Sequence, residues 1–134
     1  MSVVSNAIRQ QIRQRANQRC EYCRKADFFG TYGFHVDHII AQKHDGLTVF
    51  DNLAWACYEC NICKGTDIAS YDSLTGDLTR FFNPRNDKWD EQFSLEMARL
   101  VGLTPIGRVT IRLLQMNDPS QIEARRSMID AGLW

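Results

Sequence analysis

"CYECNICKG", residues 57–65, sets Cys57, Cys60 and Cys63 three apart, with Asn61 and Lys64 among them. Such a run can ligate an iron–sulfur cluster, supply half of a zinc site, or pack thiols into a helix without doing chemistry. The choice turns on the rest of the chain. A second pair, Cys20-x2-Cys23, lies upstream, so Cys20, Cys23, Cys57 and Cys60 form two CxxC turns and Cys63 is the odd one out. Two such turns complete the tetrahedral S4 set that zinc prefers. The 33 residues between the pairs exceed the usual ribbon gap of roughly 15–20, which predicts an inserted β-hairpin. A ferredoxin-type run would continue into a fourth cysteine and a proline, whereas "KGTDIASYD" follows Cys63. Cys20 or Cys23 could still complete an iron–sulfur set, at the cost of idling its CxxC partner. Zinc is the stronger reading and iron–sulfur stays open.

The bulk numbers frame this. The chain has 134 residues, 44% hydrophobic and 24% charged, the profile of a soluble globular protein with room for one modest core. Residues 1–134 are therefore read as a single domain. Five cysteines without a secretory signal favour metal ligation or burial over disulfides, and a cytoplasmic setting. The longest apolar runs, such as "LAWAC", are far too short for a bilayer, so no membrane association is expected. Net charge is zero but unevenly spread: residues 1–25 carry +5, residues 26–79 carry −6 and residues 80–134 carry +1. A basic arm beside an acidic centre suits a metal-dependent enzyme acting on a polyanion, and equally a solvated helix beside an unrelated acidic loop.

Along the chain, "SNAIRQQIRQRANQRC" predicts an amphipathic helix capped by Ser5 or Asn6, with Ile8, Ile12 and Ala16 on one face. It runs through a basic segment, 1–19, into a turn at "CEYCRK". A short strand is predicted at Phe34–Ile40 and a second in "TVFDNLAWAC", followed by a helix from Glu59 or Cys60. Residues 67–134 open as loops, "DSLTGDL" and "FFNPRNDKWDEQF", and end in two helices, one with Pro105 in its first turn and one from Pro119. The fold class is α+β. Trp55, Trp89, Phe81 and Phe82 read as core.

Inside the predicted hairpin lies "HVDHII". Asp37 is a hard oxygen ligand suited to Mg²⁺, and the adjacent His38, when neutral, can take a proton from water. Asn61, directly after Cys60, offers a second, uncharged oxygen. One ion with few protein ligands keeps positions open for a phosphate, which suits phosphodiester hydrolysis.

The pattern C20-x2-C23, V36-D37-H38-I39-I40, G46, N52-L53, C57-x2-C60-N61-x2-K64-G65 resembles the HNH endonuclease family in its zinc-braced, McrA-like form. The tail at "FFNPRNDKW" and "GLTPIGRVTIRLL" is similar to small stand-alone members. The resemblance implies a ββα-metal finger over residues 20–66, braced by structural Zn²⁺ on the four cysteines. It implies Asp37 and Asn61 as ligands of a catalytic Mg²⁺ or Mn²⁺, and His38 as general base. Asn52 then orders the loop and orients His38, and the substrate is DNA, with no small-molecule cofactor. One finger cuts one strand, so double-strand cleavage would need a homodimer. Two departures stand out: His44-Asp45-Gly46 where the family often has Gly-Gly, and Asn61 where others have His. The first brings His44 toward substrate phosphate. Arg9, Arg13, His44 and Lys64 are candidate DNA contacts, each with a solvated-surface alternative, and His35 is either a further contact or an ordinary strand residue. A rival reading is a zinc-containing nucleic-acid-binding module without catalysis.

Overall fold

A computed structural model describes residues 4–30 and 32–134. Residues 1–3, where the basic segment begins, and Thr31, in the glycine-containing stretch before the first strand, lie outside the described residues.

The first helix, α1 (Asn6–Arg15), starts where Ser5 accepts a hydrogen bond from Ile8 N–H at 3.2 Å, satisfying one of the amides a helix start leaves open. It buries Ile12 and ends five residues before Cys20, earlier than the predicted run into the cysteine turn. Asn17 and Gln18 adopt left-handed backbone, with φ 55° and 61°. This redirects the chain into a turn over residues 19–26, closed by a bridge between Arg19 and Ala26.

Strand β1 (His35–His38) pairs antiparallel with β2 (Leu53–Ala56), aligning Asp37 with Ala54 and His38 with Leu53. All four β2 residues are buried, while in β1 only Asp37 is buried, with His35 exposed and Val36 and His38 half-buried. Helix α2 (Tyr58–Lys64) follows at once. It begins one residue earlier than predicted because the Cys57 thiol caps it, with Sγ accepting from Cys60 N–H at 3.4 Å.

The stretch read as loops is more ordered than its composition suggests. β3 (Ala69–Tyr71) and β4 (Leu78–Arg80) form one hairpin, α3 (Trp89–Gln92) is a single turn, and β5 (Phe93–Glu96) and β6 (Arg99–Gly102) form another hairpin. Helices α4 (Pro105–Leu113) and α5 (Pro119–Asp130) lie where proline starts predicted them. Gly107 lets α4 abut the end of α3, since a Cβ there would sit 2.1 Å from the Gln92 carbonyl oxygen. No helix among the described residues is long and apolar enough to cross a membrane.

One hydrophobic cluster gathers Ile12, Tyr22, Phe34, Leu53, Trp55, Phe82, Phe93, Leu100, Leu114 and Met116 together with the four paired cysteines. Trp55, Phe81 and Phe82 are buried and Trp89 is half-buried. Beside this core, Arg108 on α4 grips buried Asp72 through two hydrogen bonds of 3.0 Å each. Arg108, with Thr75, holds the Asp72 carboxyl well below the usual carboxylate range. A depressed folded-state pKa adds stability above the unfolded value, and that stability is lost as pH falls toward the folded one. Asp72→Asn is thus expected to melt below the parent at pH 7, with the gap closing as pH drops under about 4. A gap that persists unchanged at pH 2–3 in a thermal-melt series would refute the ionic origin.

Candidate metal centre and active site

The four cysteines converge. Cys20, Cys23, Cys57 and Cys60 are 0–2% exposed, and their sulfurs all lie within 4.8 Å of one another. Each pair uses the same local turn: Cys20 Sγ accepts from Cys23 N–H and Cys57 Sγ from Cys60 N–H, both at 3.4 Å. Among the described residues this is the one cluster of three or more His, Cys, Asp or Glu side chains able to hold a metal ion. Four buried sulfurs in one shell are positioned to bind a metal, and an all-thiolate set fits zinc. Cys63 lies outside the set, half-buried on α2, so the CxxCxxC run is split between ligation and packing.

The second site lies between β1 and α2. Asp37, His38 and Asn61 line one cleft of about 250 Å³ with Val36, Ala41, Gln42, Lys43, Gly65 and Thr66. Asp37 is only 5% exposed. Its Oδ2 accepts from the Tyr22 hydroxyl at 2.7 Å, and Lys64 Nζ stands 3.3 Å from Oδ1 and 3.1 Å from Oδ2. Burial pushes the Asp37 carboxyl up, and Lys64 and Tyr22 oppose that push. A carboxylate offers about four lone-pair positions, so these contacts do not exhaust its capacity as an acceptor.

Lys64 requires a correction. Predicted as a phosphate contact, it is 1% exposed, with its ammonium paired to Asp37 and donating to the His38 carbonyl at 2.9 Å. It is an internal brace joining α2 to β1, unable to meet a DNA backbone. The helix arginines are likewise engaged. Arg13 makes a two-point pair with Asp27, at 2.5 and 3.1 Å. Arg9 donates to the Phe34 carbonyl at 2.8 Å and lies 4.6 Å from the Trp55 ring centre, and Arg15 holds the carbonyls of Phe50 and Leu53. The basic face of α1 therefore fastens the helix to the β1–β2 unit. His44 Nε2 is 3.0 Å from the Thr66 carbonyl, tying the loop to the residues after α2.

The loop between the strands is held by Asn52. Its Oδ1 accepts from Ile40 N–H at 2.9 Å, and its Nδ2 donates to the carbonyls of Ile40 and Leu47 at 2.9 and 2.8 Å. Next to Leu47, Thr48 presents a hydroxyl 2.9 Å from His38 Nε2. Asn52 thus reaches His38 only at one remove, through the loop that carries Thr48. Asp45 takes the left-handed conformation, φ 65°, which glycine adopts most readily. Gly46 has no substitute, because a Cβ there would fall 1.7 Å from the Ile40 carbonyl oxygen.

Residues 20–67 match the model of the HNH endonuclease family. The HNH segment runs from the first cysteine turn to just past α2 and encloses both sites, Thr48 and Lys64 included. No curated protein and no solved structure matches the chain. The HNH match points to a nuclease or nucleic-acid-binding function. No spacing in the sequence marks Tyr22 or Thr48, whose partners Asp37 and His38 lie 15 and 10 positions away. Lys43, exposed on the cleft wall, has a single signal in the sequence, its place five residues after His38.

Proposed function

We propose that this protein is a metal-dependent DNA endonuclease, hydrolysing phosphodiester bonds at the cleft of Asp37, His38 and Asn61. The observation that carries the reading is the convergence of these three side chains on one cleft inside the HNH-matching segment. His38 Nε2 stands 2.9 Å from the Thr48 hydroxyl; in the tautomer that carries its proton on Nε2, His38 donates to Thr48 and Nδ1 is the nitrogen that takes a proton from water. The resulting hydroxide attacks phosphorus, the P–O3′ bond breaks, and the 3′ oxygen leaves and is protonated. Asp37 and Asn61 would hold a divalent cation, Mg²⁺ or Mn²⁺, which when bound would supply Lewis-acid stabilisation of the developing charge. Lys64 and Tyr22 orient Asp37, and Asn52 and Thr48 orient His38. The four-cysteine site, loaded with zinc, is structural. One cleft cuts one strand, so a monomer nicks and double-strand breaks require two copies.

The test is relaxation of supercoiled plasmid by the zinc-loaded protein with Mg²⁺ or Mn²⁺, beside His38→Ala. The parent is expected to nick. The variant, with unchanged melting temperature and zinc content, should lose at least about 100-fold in rate. Equal cutting by both would remove His38 from the base role. A second reading, a zinc-braced nucleic-acid-binding module, draws on the burial and pairing of Asp37. It takes over where the parent binds DNA and leaves the plasmid intact.

A further inference from the structure

Beside the cleft stands an aromatic group that the nuclease chemistry does not use. Tyr32 and Tyr58 have ring centres 4.6 Å apart with planes tilted by 34°, and His35 lies 6.2 Å from Tyr58 on its own ring contact. Tyr32 is 58% exposed and His35 is exposed as well. This is unlike Phe34, Trp55 and Phe82, which are buried in the core.

The placement ties this group to the cleft. His35 and Asp37 are two apart on β1, so their side chains leave the same face of the strand roughly 7 Å from each other. Tyr58 lies one turn before Asn61 on α2, so those two also share a face. The His35–Tyr58 contact and the Asp37–Lys64 pair both bridge this strand to this helix. The two elements that carry the candidate metal ligands therefore carry the aromatic group one step further along.

We propose that Tyr32, His35 and Tyr58 form a stacking site for an unpaired nucleobase of the DNA strand whose phosphate occupies the cleft. The proposal rests on the nuclease reading and names its substrate class: DNA with unpaired bases, as in single strands, bulges and junctions. A base within a duplex has its faces covered by its neighbours and offers only edges, so a ring such as Tyr32 can be reached only by a base outside the stack. The charge pattern agrees. Arg9 and Arg13 are engaged within the fold and residues 26–79 carry a net −6, which limits the electrostatic grip on a rigid duplex. Stacking supplies affinity that needs no positive charge and tolerates any base.

The experiment measures fluorescence anisotropy of the full zinc-loaded chain carrying His38→Ala, so that the DNA survives. The probes are a fluorescein-labelled single strand, the matching duplex and the same duplex with a two-base bulge. The single strand and the bulged duplex should bind about tenfold more tightly than the intact duplex. Tyr32→Ala, a change at an exposed side chain, should erase that preference and leave duplex affinity within about twofold, while Tyr32→Phe retains it. The proposal is overturned where Tyr32→Ala binds the single strand as its parent does, or where the parent shows no preference. Should the His38-intact protein relax plasmid in either of those cases, only the stacking site falls. Should it neither bind nor cut any of these DNAs, the nuclease reading falls and takes the stacking site with it.

Discussion

Stripping the metal from Cys20, Cys23, Cys57 and Cys60 is expected to abolish the cooperative melt of this protein. The four cysteines are members of the hydrophobic cluster itself and are 0–2% exposed. They join the turn after α1 to the cap of α2, elements 34 positions apart along the chain, with Cys23 and Cys57 sulfurs at 3.7 Å. Structural zinc in small sites contributes about 10–16 kcal/mol of apparent folding free energy, and an ordinary domain holds only about 5–15 kcal/mol in total. On these magnitudes a metal bound there would decide the folded state. Chelation followed by circular dichroism and tryptophan fluorescence should show loss of the thermal transition and its return with one equivalent of Zn²⁺. Cys23→Ser should behave like the stripped protein, and Cys63→Ser should keep both metal and transition. A cooperative melt surviving in metal-free protein would sink this account and return the cluster to plain packing.

The second large effect is expected at Lys64. Lys64→Met keeps the volume of the side chain and removes its charge, leaving Asp37 buried against Tyr22 with no cation beside it. Breaking a buried pair by deleting one partner costs about 3–5 kcal/mol, because the remaining charge is uncompensated. Urea denaturation should register a loss of about 3 kcal/mol, several times that of a surface lysine change. Adding Asp37→Asn, which preserves an oxygen for the Tyr22 hydroxyl, should recover most of it, since removing both charges together is often nearly neutral. A cost below about 0.5 kcal/mol for the single variant would mean that the brace carries no weight.

These two sites mark how far the sequence could be read. The cysteine turns, the strand–strand–helix order and the Asp37–His38 and Asn61 positions are all local spacings, and local spacing is what a sequence displays. The helix starts at Pro105 and Pro119 are of the same kind. What was hidden depended on partners far along the chain. Lys64 looks like a surface lysine at the end of a short helix until β1 is laid beside it, and Arg13 looks like a DNA contact until Asp27 folds back 14 positions later. The two hairpins between residues 69 and 102 lie in a segment whose sequence reads only as loop-rich, for a physical reason. β3 and β4 have three residues each and no buried position, too short and too exposed for alternation to register. The β5–β6 turn uses Met97 at φ 58°, a left-handed residue without the glycine or asparagine that usually announces one.

One contact set described above bears on the order of events as the chain is made. The first cysteine turn is finished by groups far downstream: Met128 Sδ accepts from Ala26 N–H at 3.5 Å, 102 positions away, and Arg19 donates to the Leu133 carbonyl, 114 positions away. On a ribosome adding about 5–20 residues per second, those partners emerge some five to twenty seconds after the turn they complete. Through that interval the HNH-matching segment, residues 20–67, exists as polypeptide without these contacts, and such long-range closure is slow by its topology. The molecule thus has a built-in delay between synthesis of its first cysteine turn and completion of the contacts that close it.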